Sequence, residues 1–488
     1  MNILRRMRKF CKEENNKVLT ANSQFWGLCA VLALNDIIVK SKRRCIMKKK
    51  LALILAAITA LSVTAGCSGD KASSSASEAA PAASSKAASA DTAASGDPVK
   101  FLVYACVSGG TSESGRQCTL AAETAQWYIN EKLGGFPSLG GRPIQIEVLD
   151  STSDAATATL PLERALSAGG YTSVIGNSNS SIALTMLPIL EKYKVPTVTG
   201  AAANKAVSEQ GCSFVFQPAA TSSSFIPTQL DFLAEYADLI GKDVKDLKLG
   251  LLYSNDAWGT DQSNNTRTQV AERGLNLVSD EGYEGSSFTD ATPLITKIQN
   301  AGVDVILPSA YPNDLKLIFT AMNTLNYHPL VVGGGAAMTW PSLYKDLGDN
   351  VNGLTSVDSW CWDQKGATEN TGWMEMNAYY EEKNNEFLAG QGGPTLFSIM
   401  LAYEAVENAK SDDPVAVRDE LRKLNKDNSK WFGVINGDGD FDDTTGLNTG
   451  SRAIILQWQN GKPTSIYPPE YATGVVLNPD TMKPFTLS

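Results

Sequence analysis

From residue 100 to residue 458 this 488-residue chain alternates short apolar runs with amphipathic stretches, and no other feature restricts its fold as strongly. FLVYAC (101–106) reads as a buried strand, followed by the loop SGGTSESG and helical spacing through Ala121, Ala125 and Ile129. IQIEVLD (144–150) is a second strand, a helix follows over 156–168, and a third strand ends at Ile175. Strands alternating with helices predict parallel βαβ units wound on both faces of a sheet. The series restarts after the Ser-rich turn at 221–224, with LKLGLLY (247–253), NLVSDEGY, VDVILPS (303–309) and LVVGG (330–334). Helical patterns over 396–409 and 414–424 and a last strand RAIILQW (452–458) close the chain. The expected fold is therefore α/β, two doubly wound parallel-sheet lobes joined by a multi-strand hinge. Residues 98–220 and 354–449 are assigned to the first lobe, 221–353 and 450–488 to the second. Several crossings between lobes suit closure on a ligand by hinge motion.

The stretch VIGNSNSSIALTMLPILEKYKVPTVTGAAAN (174–204) is the expected seat of that ligand. It reads as a strand, a polar loop, a helix opening near Ser180, a short strand over 195–199 and a second loop of small residues. In open α/β sheets ligands bind beyond the carboxyl ends of the strands, where these two loops fall. Small residues let backbone amides approach closely, and a helix N-terminus favours a negative group.

Composition removes several function classes. Residues 1–66 hold 13 Lys or Arg against 3 Asp or Glu, so the net charge of −10 leaves −20 on residues 67–488. Such an acidic body repels phosphate backbones and speaks against nucleic-acid binding. The one histidine, His328, reads as a loop residue, and no HExxH or CxxC spacing offers a metal site. The absence of GxSxG and of a usable base argues against a hydrolase. SGGTSESG matches neither GxGxxG nor GxxxxGK[ST], so no nucleotide cofactor is expected. DGDFDD (438–443) lacks the central Gly and terminal Glu of a calcium loop and reads as an acidic turn.

The amino-terminal region reads as export machinery. Residues 1–46 are a basic upstream extension, either translated or the product of a start assigned ahead of Met47. From Met47 three lysines precede an apolar core (51–63), the layout of a signal peptide over 47–66. Thr64-Ala65-Gly66-Cys67 resembles a bacterial lipobox with Cys67 as the lipidated residue, although Thr64 stands where Leu is usual; an uncleaved anchor is the alternative. Residues 67–97, nearly all Ser, Ala, Lys, Asp and Glu, cannot bury enough apolar surface to order and read as a flexible tether. Either anchor places the protein outside the cytoplasm. Disulfides are permitted there, and Cys106 and Cys118, flanking one loop, are the candidate pair.

The ordered set VIGNSNSS, VPTVTGAAAN, LLYSNDAWGTD, SSFTDATPLITKIQNAGVDVILPSAYPNDL and GPTLFSIMLAYEAV, behind such a leader, resembles the leucine/isoleucine/valine-binding type of ABC-transporter solute-binding proteins. The likeness spans most of residues 98–460. It implies a type I periplasmic-binding fold, a monomeric, non-catalytic receptor that hands a small solute to a membrane permease and its ATPase. It further implies that Ser180 (with Ser181 beside it) and the backbone at Ala201 hold a ligand carboxylate. Ser180 alone would read as a plain helix cap. Ala203 stands where relatives have Ser or Thr. Trp258 replaces a Tyr that lines the cleft, Tyr311 matches another pocket ring, and Ser114 replaces a bulky ring, which leaves room for a larger ligand. Without that resemblance Tyr311 reads as a loop residue packing on Pro312.

Gly335 is the main departure, because amino-acid binders carry there an acid that pairs with the α-ammonium. Losing a buried partner of that kind costs on the order of 3–5 kcal/mol. Either Asp150, Asp154 or Asp314 substitutes, or the ligand is an aromatic or aliphatic carboxylate or amide without an α-ammonium. A receptor that signals instead of feeding a permease is equally compatible with the sequence.

Overall fold

The computed structural model describes residues 96–485, all within one compact unit spanning Ala90–Ser488. The extension 1–46, the leader 47–66, Cys67 and nearly all of the Ser/Ala-rich segment lie outside the described residues. Among the described residues no helix is long and apolar enough to cross a membrane.

The first sheet contains β1 (Val99–Ala105), β2 (Ile144–Asp150), β3 (Tyr171–Ile175), β4 (Thr197–Val198) and β5 (Val215–Phe216), all parallel, in the spatial order β2-β1-β3-β4-β5. The second contains β6 (Lys248–Ser254), β7 (Asn276–Tyr283), β8 (Val305–Ser309), β9 (Leu330–Gly333) and β10 (Thr355–Asp358), in the order β7-β6-β8-β9-β10. The two orders are the same, and each reverses direction between its first and third strands. β11 (Ile454–Gln459) and β12 (Lys462–Tyr467) extend the second sheet antiparallel beyond β10. These residues form strands because both faces are covered: β8, VILPS, and β3 apart from Tyr171 are buried throughout.

The helices that matter for the site are α1 (Ser112–Trp127), α2 (Thr159–Ala168), α3 (Ser180–Tyr193), α4 (Ser222–Leu239), α5 (Ala257–Arg273), α6 (Pro312–Thr324), α7 (Pro341–Leu347), α8 (Thr371–Asn384) and α9 (Gly392–Ala409). One face of the first sheet packs on α1, α8 and α9 through Phe101, Val103, Trp373, Phe397 and Met400. The other packs on α2 and α3 through Leu102, Leu162, Ile182 and Leu190. α9 is buried over nearly its whole length, so its mean pattern is apolar all round and not striped.

β10 pairs in parallel with β9 and antiparallel with β11, so residues 355–358 belong to the second lobe. The return to the first lobe comes after Asp358, and not at 354 as the sequence boundary has it. The chain crosses between the sheets three times: after β5, after β10 and before β11. Two crossings run side by side, with the Gln217 amide on the Gly446 carbonyl (2.9 Å) and the Asn448 amide on the Gln217 carbonyl (2.9 Å).

The disulfide expected between Cys106 and Cys118 is not formed; both are buried free thiols. They lie on opposite faces of the first sheet, Cys106 packing with Leu102 and Tyr104 and Cys118 with Val103 and Ala105. Cys106 Sγ meets Asn177 Oδ1 at 3.4 Å, and Thr395 Oγ1 donates to Cys118 Sγ at 3.2 Å.

Candidate functional site

In each sheet the reversal of strand order opens a crevice at the carboxyl ends of the first and third strands. The two crevices face each other across one cavity. As the lobes stand it leaves about 40 Å³ for the centres of water-sized molecules, within about 590 Å³ not filled by protein atoms, part of it open to solvent. The first lobe contributes Thr111, Ser114, Ser178, Ser180, Ala201 and Ala203; the second contributes Trp258, Tyr311, Trp340 and Asp358.

Glycine brings the two leading helices against their strands. A Cβ on Gly115 would lie 2.2 Å from the Cys106 carbonyl oxygen, and one on Gly259 would lie 2.1 Å from that of Ser254. Both are impossible contacts, so only glycine lets the first turns of α1 and α5 reach the cavity rim.

The anion-favouring end is built at α3. Asn179 is the cap, its Oδ1 accepting the Ser181 (2.9 Å) and Ile182 (3.3 Å) amides. Ser180 is therefore not the cap, and its own amide is one of the first-turn donors without an intrahelical acceptor. Its hydroxyl accepts the Asn204 amide at 3.3 Å, and Ser114 Oγ lies 2.6 Å from Ser178 Oγ. With the helix dipole behind it, this end suits a carboxylate.

Rings form the facing wall. Trp258 and Tyr311 sit with centroids 5.2 Å apart, tilted by 56°. Tyr311 donates to Asp256 Oδ2 at 2.7 Å, and Asp256 Oδ1 caps α5 by accepting the Gly259 amide at 2.8 Å. Burial pushes the Asp256 carboxyl up, while the Gly259 amide and the Tyr311 hydroxyl pull it down. Tyr311 is raised well above the usual phenol range, by burial first and by Asp256 second, and stays a neutral donor. Phe225 and Trp340 complete the apolar wall.

The structure thus gathers Ser114, Ser180, Ala201, Ala203, Trp258 and Tyr311 around one cavity and leaves two predicted residues outside it. Ser181 Oγ accepts the Ala257 amide at 3.3 Å, a contact between lobes, reinforced by Asn204 Nδ2 on the Ala257 carbonyl at 2.9 Å. Gly335 sits behind Phe225, with φ +99°, its amide on Ser356 Oγ (3.1 Å); a Cβ there would come within 3.1 Å of the Phe225 ring. That position cannot carry an acid into the cavity. None of the proposed substitutes lines it either: Asp150 accepts the Ser108 and Thr152 amides, Asp154 the Ala156 amide, and Asp314 the Tyr283 hydroxyl.

The acid that does line it is Asp358, which sequence reading missed. It ends β10, and burial pushes its carboxyl up to about 7 against the hydrogen bonds from Ser359 and Thr339.

A model of periplasmic binding proteins matches residues 98–463. The chain belongs to the periplasmic binding protein family. Among curated relatives, this periplasmic binding protein is 24% identical to Leu/Ile/Val-binding protein homolog 8 of Brucella abortus over 386 residues, covering 77% of this chain and 92% of that one. It is similar in fold to the branched-chain amino acid substrate-binding protein LivJ of Streptococcus pneumoniae, solved with isoleucine (TM-score 0.64, 18% identity, 76% of this chain and 100% of that one). A solute-binding protein of R. palustris, solved with 4-hydroxybenzoate, is equally close in fold (TM-score 0.62, 18% identity, 76% and 96% covered). At these identities the likeness to the solved structures is one of fold. Proteins of this family bind solutes outside the cytoplasm, and this periplasmic binding protein shares their two-lobed α/β architecture.

Proposed function

We propose that this protein is the extracytoplasmic receptor of an ABC importer, capturing a small carboxylate-bearing solute between its lobes and presenting it to the permease and ATPase. Its anchor in this reading is a lipid on Cys67, with the Ser/Ala-rich segment as tether. The observation that carries the reading is the cavity at the facing crevices, with the first turn of α3 on one side and Trp258 and Tyr311 on the other. The carboxylate is held by the Ser180 amide and hydroxyl and by the backbone at Ala201, and the rings cover the apolar part of the ligand. The contacts of Ser181 and Asn204 with Ala257 hold the lobes together once the ligand is in place.

The four rings lining the cavity, Phe225, Trp258, Tyr311 and Trp340, favour an aromatic carboxylate as a second reading, the ligand class of the R. palustris neighbour. A thermal-shift screen of the purified protein against amino acids, aliphatic acids, aromatic acids and amides tests both. A ligand at 100 times its Kd stabilises by about 2.7 kcal/mol. Trp258→Ala is expected to weaken the eventual ligand by on the order of 10-fold or more, the loss of one buried ring contact. Unchanged affinity in that variant removes Trp258 from the site.

A further inference from the structure

The two lobes are also joined away from the cavity walls. α8 and α9 both pack on the first sheet, yet the segment between them, residues 385–391, is committed to both lobes. Leu388 lies in the first-lobe core with Tyr380 and Leu396. Its neighbours Phe387 and Ala389 lie in the second-lobe core, where the Phe387 ring meets Trp458 edge-on at 5.9 Å. Successive residues thus pack into opposite lobes, and the next two, Gly390 and Gln391, line the cavity.

Glu386 adds a charge to the same junction. Its side chain is 4% exposed, and its two oxygens accept Arg116 Nη2 at 2.8 and 3.1 Å. The Tyr380 hydroxyl donates to it at 3.3 Å, and Lys345 Nζ at 3.0 Å. Arg116 belongs to α1, whose first turn reaches the first-lobe rim of the cavity at Ser114, while Lys345 belongs to α7 of the second lobe. One buried carboxylate is therefore shared by a cation from each lobe. A second bridge, Lys462 of β12 on Glu381 of α8 at 3.4 Å, runs beside it. Both cross an open groove between the lobes lined by Tyr344, Lys345, Glu381, Phe387 and Lys462.

A carboxylate so buried is costly without its partners. A hinge motion that separates α7 from α1 must strip Glu386 of one of its two cations. Lys345 is the one to leave, because its side chain is 62% exposed and returns to water, whereas Arg116 and Tyr380 hold the carboxylate from the first-lobe side. We infer that Glu386 is a positioning residue for closure: its ion pair with Lys345, with Phe387 seated against Trp458 beside it, clasps the lobes and sets the balance between open and closed forms without touching the ligand. This rests on the reading of the protein as a receptor that closes between its lobes, and on no particular solute.

The test is hydrogen exchange followed by mass spectrometry on the whole, ligand-stripped protein, for wild type, Lys345→Gln, Glu386→Gln and the double variant. The reporter is the lobe contact remote from the clasp, the Ala257 amide on Ser181 and the Ala257 carbonyl on Asn204, read in residues 254–262. An ion pair with one exposed partner shifts an equilibrium about 2- to 5-fold, so Lys345→Gln should speed exchange there by that factor. Between about 50 and 500 mM NaCl the gap to wild type should shrink, since salt screens an exposed pair. In the Glu386→Gln background Lys345→Gln should add nothing, as expected of two residues acting through one contact. Lys345 lies on the surface, so its variant keeps the test decisive if Glu386→Gln does not fold. Faster exchange confined to α7 and residues 385–391, with 254–262 unchanged, makes the pair a local structural contact and overturns the inference. A Lys345→Gln effect that persists undiminished beside Glu386→Gln overturns it too. No solute enters this experiment, so failure of the clasp and failure of the receptor reading in the solute screen are read separately.

Discussion

Asp358 gives the unliganded protein a pH dependence that is measurable before any ligand is known. Its carboxyl titrates at about 7 when folded, raised from 3.8 chiefly by burial. Between those values the folded protein keeps a proton that the unfolded chain has released. The stability this proton confers is complete below about pH 4 and is lost as pH rises through 7. From pH 5 to pH 8 the loss amounts to about 2.7 kcal/mol by linkage. For a folded body of roughly 390 residues the unfolding entropy makes that about 3 °C in Tm. Asn at 358 carries no titratable proton, so the comparison isolates this one group. The assay is differential scanning fluorimetry of stripped wild type and Asp358→Asn at pH 5, 6.5 and 8. The Tm of wild type relative to the variant is expected to fall by about 3 °C across that range. A difference constant to within about 1 °C means that Asp358 is either ionised in a solvated site or paired by a cation, and the argument from burial is then wrong.

Gly115→Ala and Gly259→Ala each place a methyl against a strand-end carbonyl, at 2.2 and 2.1 Å, and should each destabilise by about 2–3 kcal/mol in urea unfolding, with weaker ligand binding as the first turns are pushed back. Cys106 and Cys118 should both be alkylated when the protein is denatured without reductant, and neither while it is folded; a mass consistent with a linked pair would restore the disulfide.

The strands were legible both as continuous apolar runs and, at the sheet edge, as alternation: β2, only partly buried, has the limits 144–150 read from sequence, and α3 opens at Ser180 as its polar loop indicates. The cavity's first-lobe side followed from those strand ends. Asp358 was not legible, because TSVD is a four-residue strand whose place depends on pairing Val357 with Ile455, nearly a hundred residues later. The lobe boundary read at 354 therefore falls five residues too early. Trp340, Phe225 and Gln391 reach the cavity through tertiary packing and carry no local signal. Gly335 was correctly read as lacking a carboxylate, but the reason, a left-handed backbone pressed on Phe225, is visible only in three dimensions.

The three passages of the backbone between the sheets mean that neither half is a contiguous stretch. One face of the first sheet is covered by α1 and, beyond it, by Trp360, Trp373, Phe397, Met400, Trp431 and Phe441, so strands made early in synthesis have only part of their apolar cover until residue 441 has left the ribosome. A chain stopped at residue 350 would leave that face covered by α1 and its neighbours alone, so truncation from the C-terminus should destabilise the N-terminal half. Such late completion suits a polypeptide that must stay threadable until it has passed through a translocation channel.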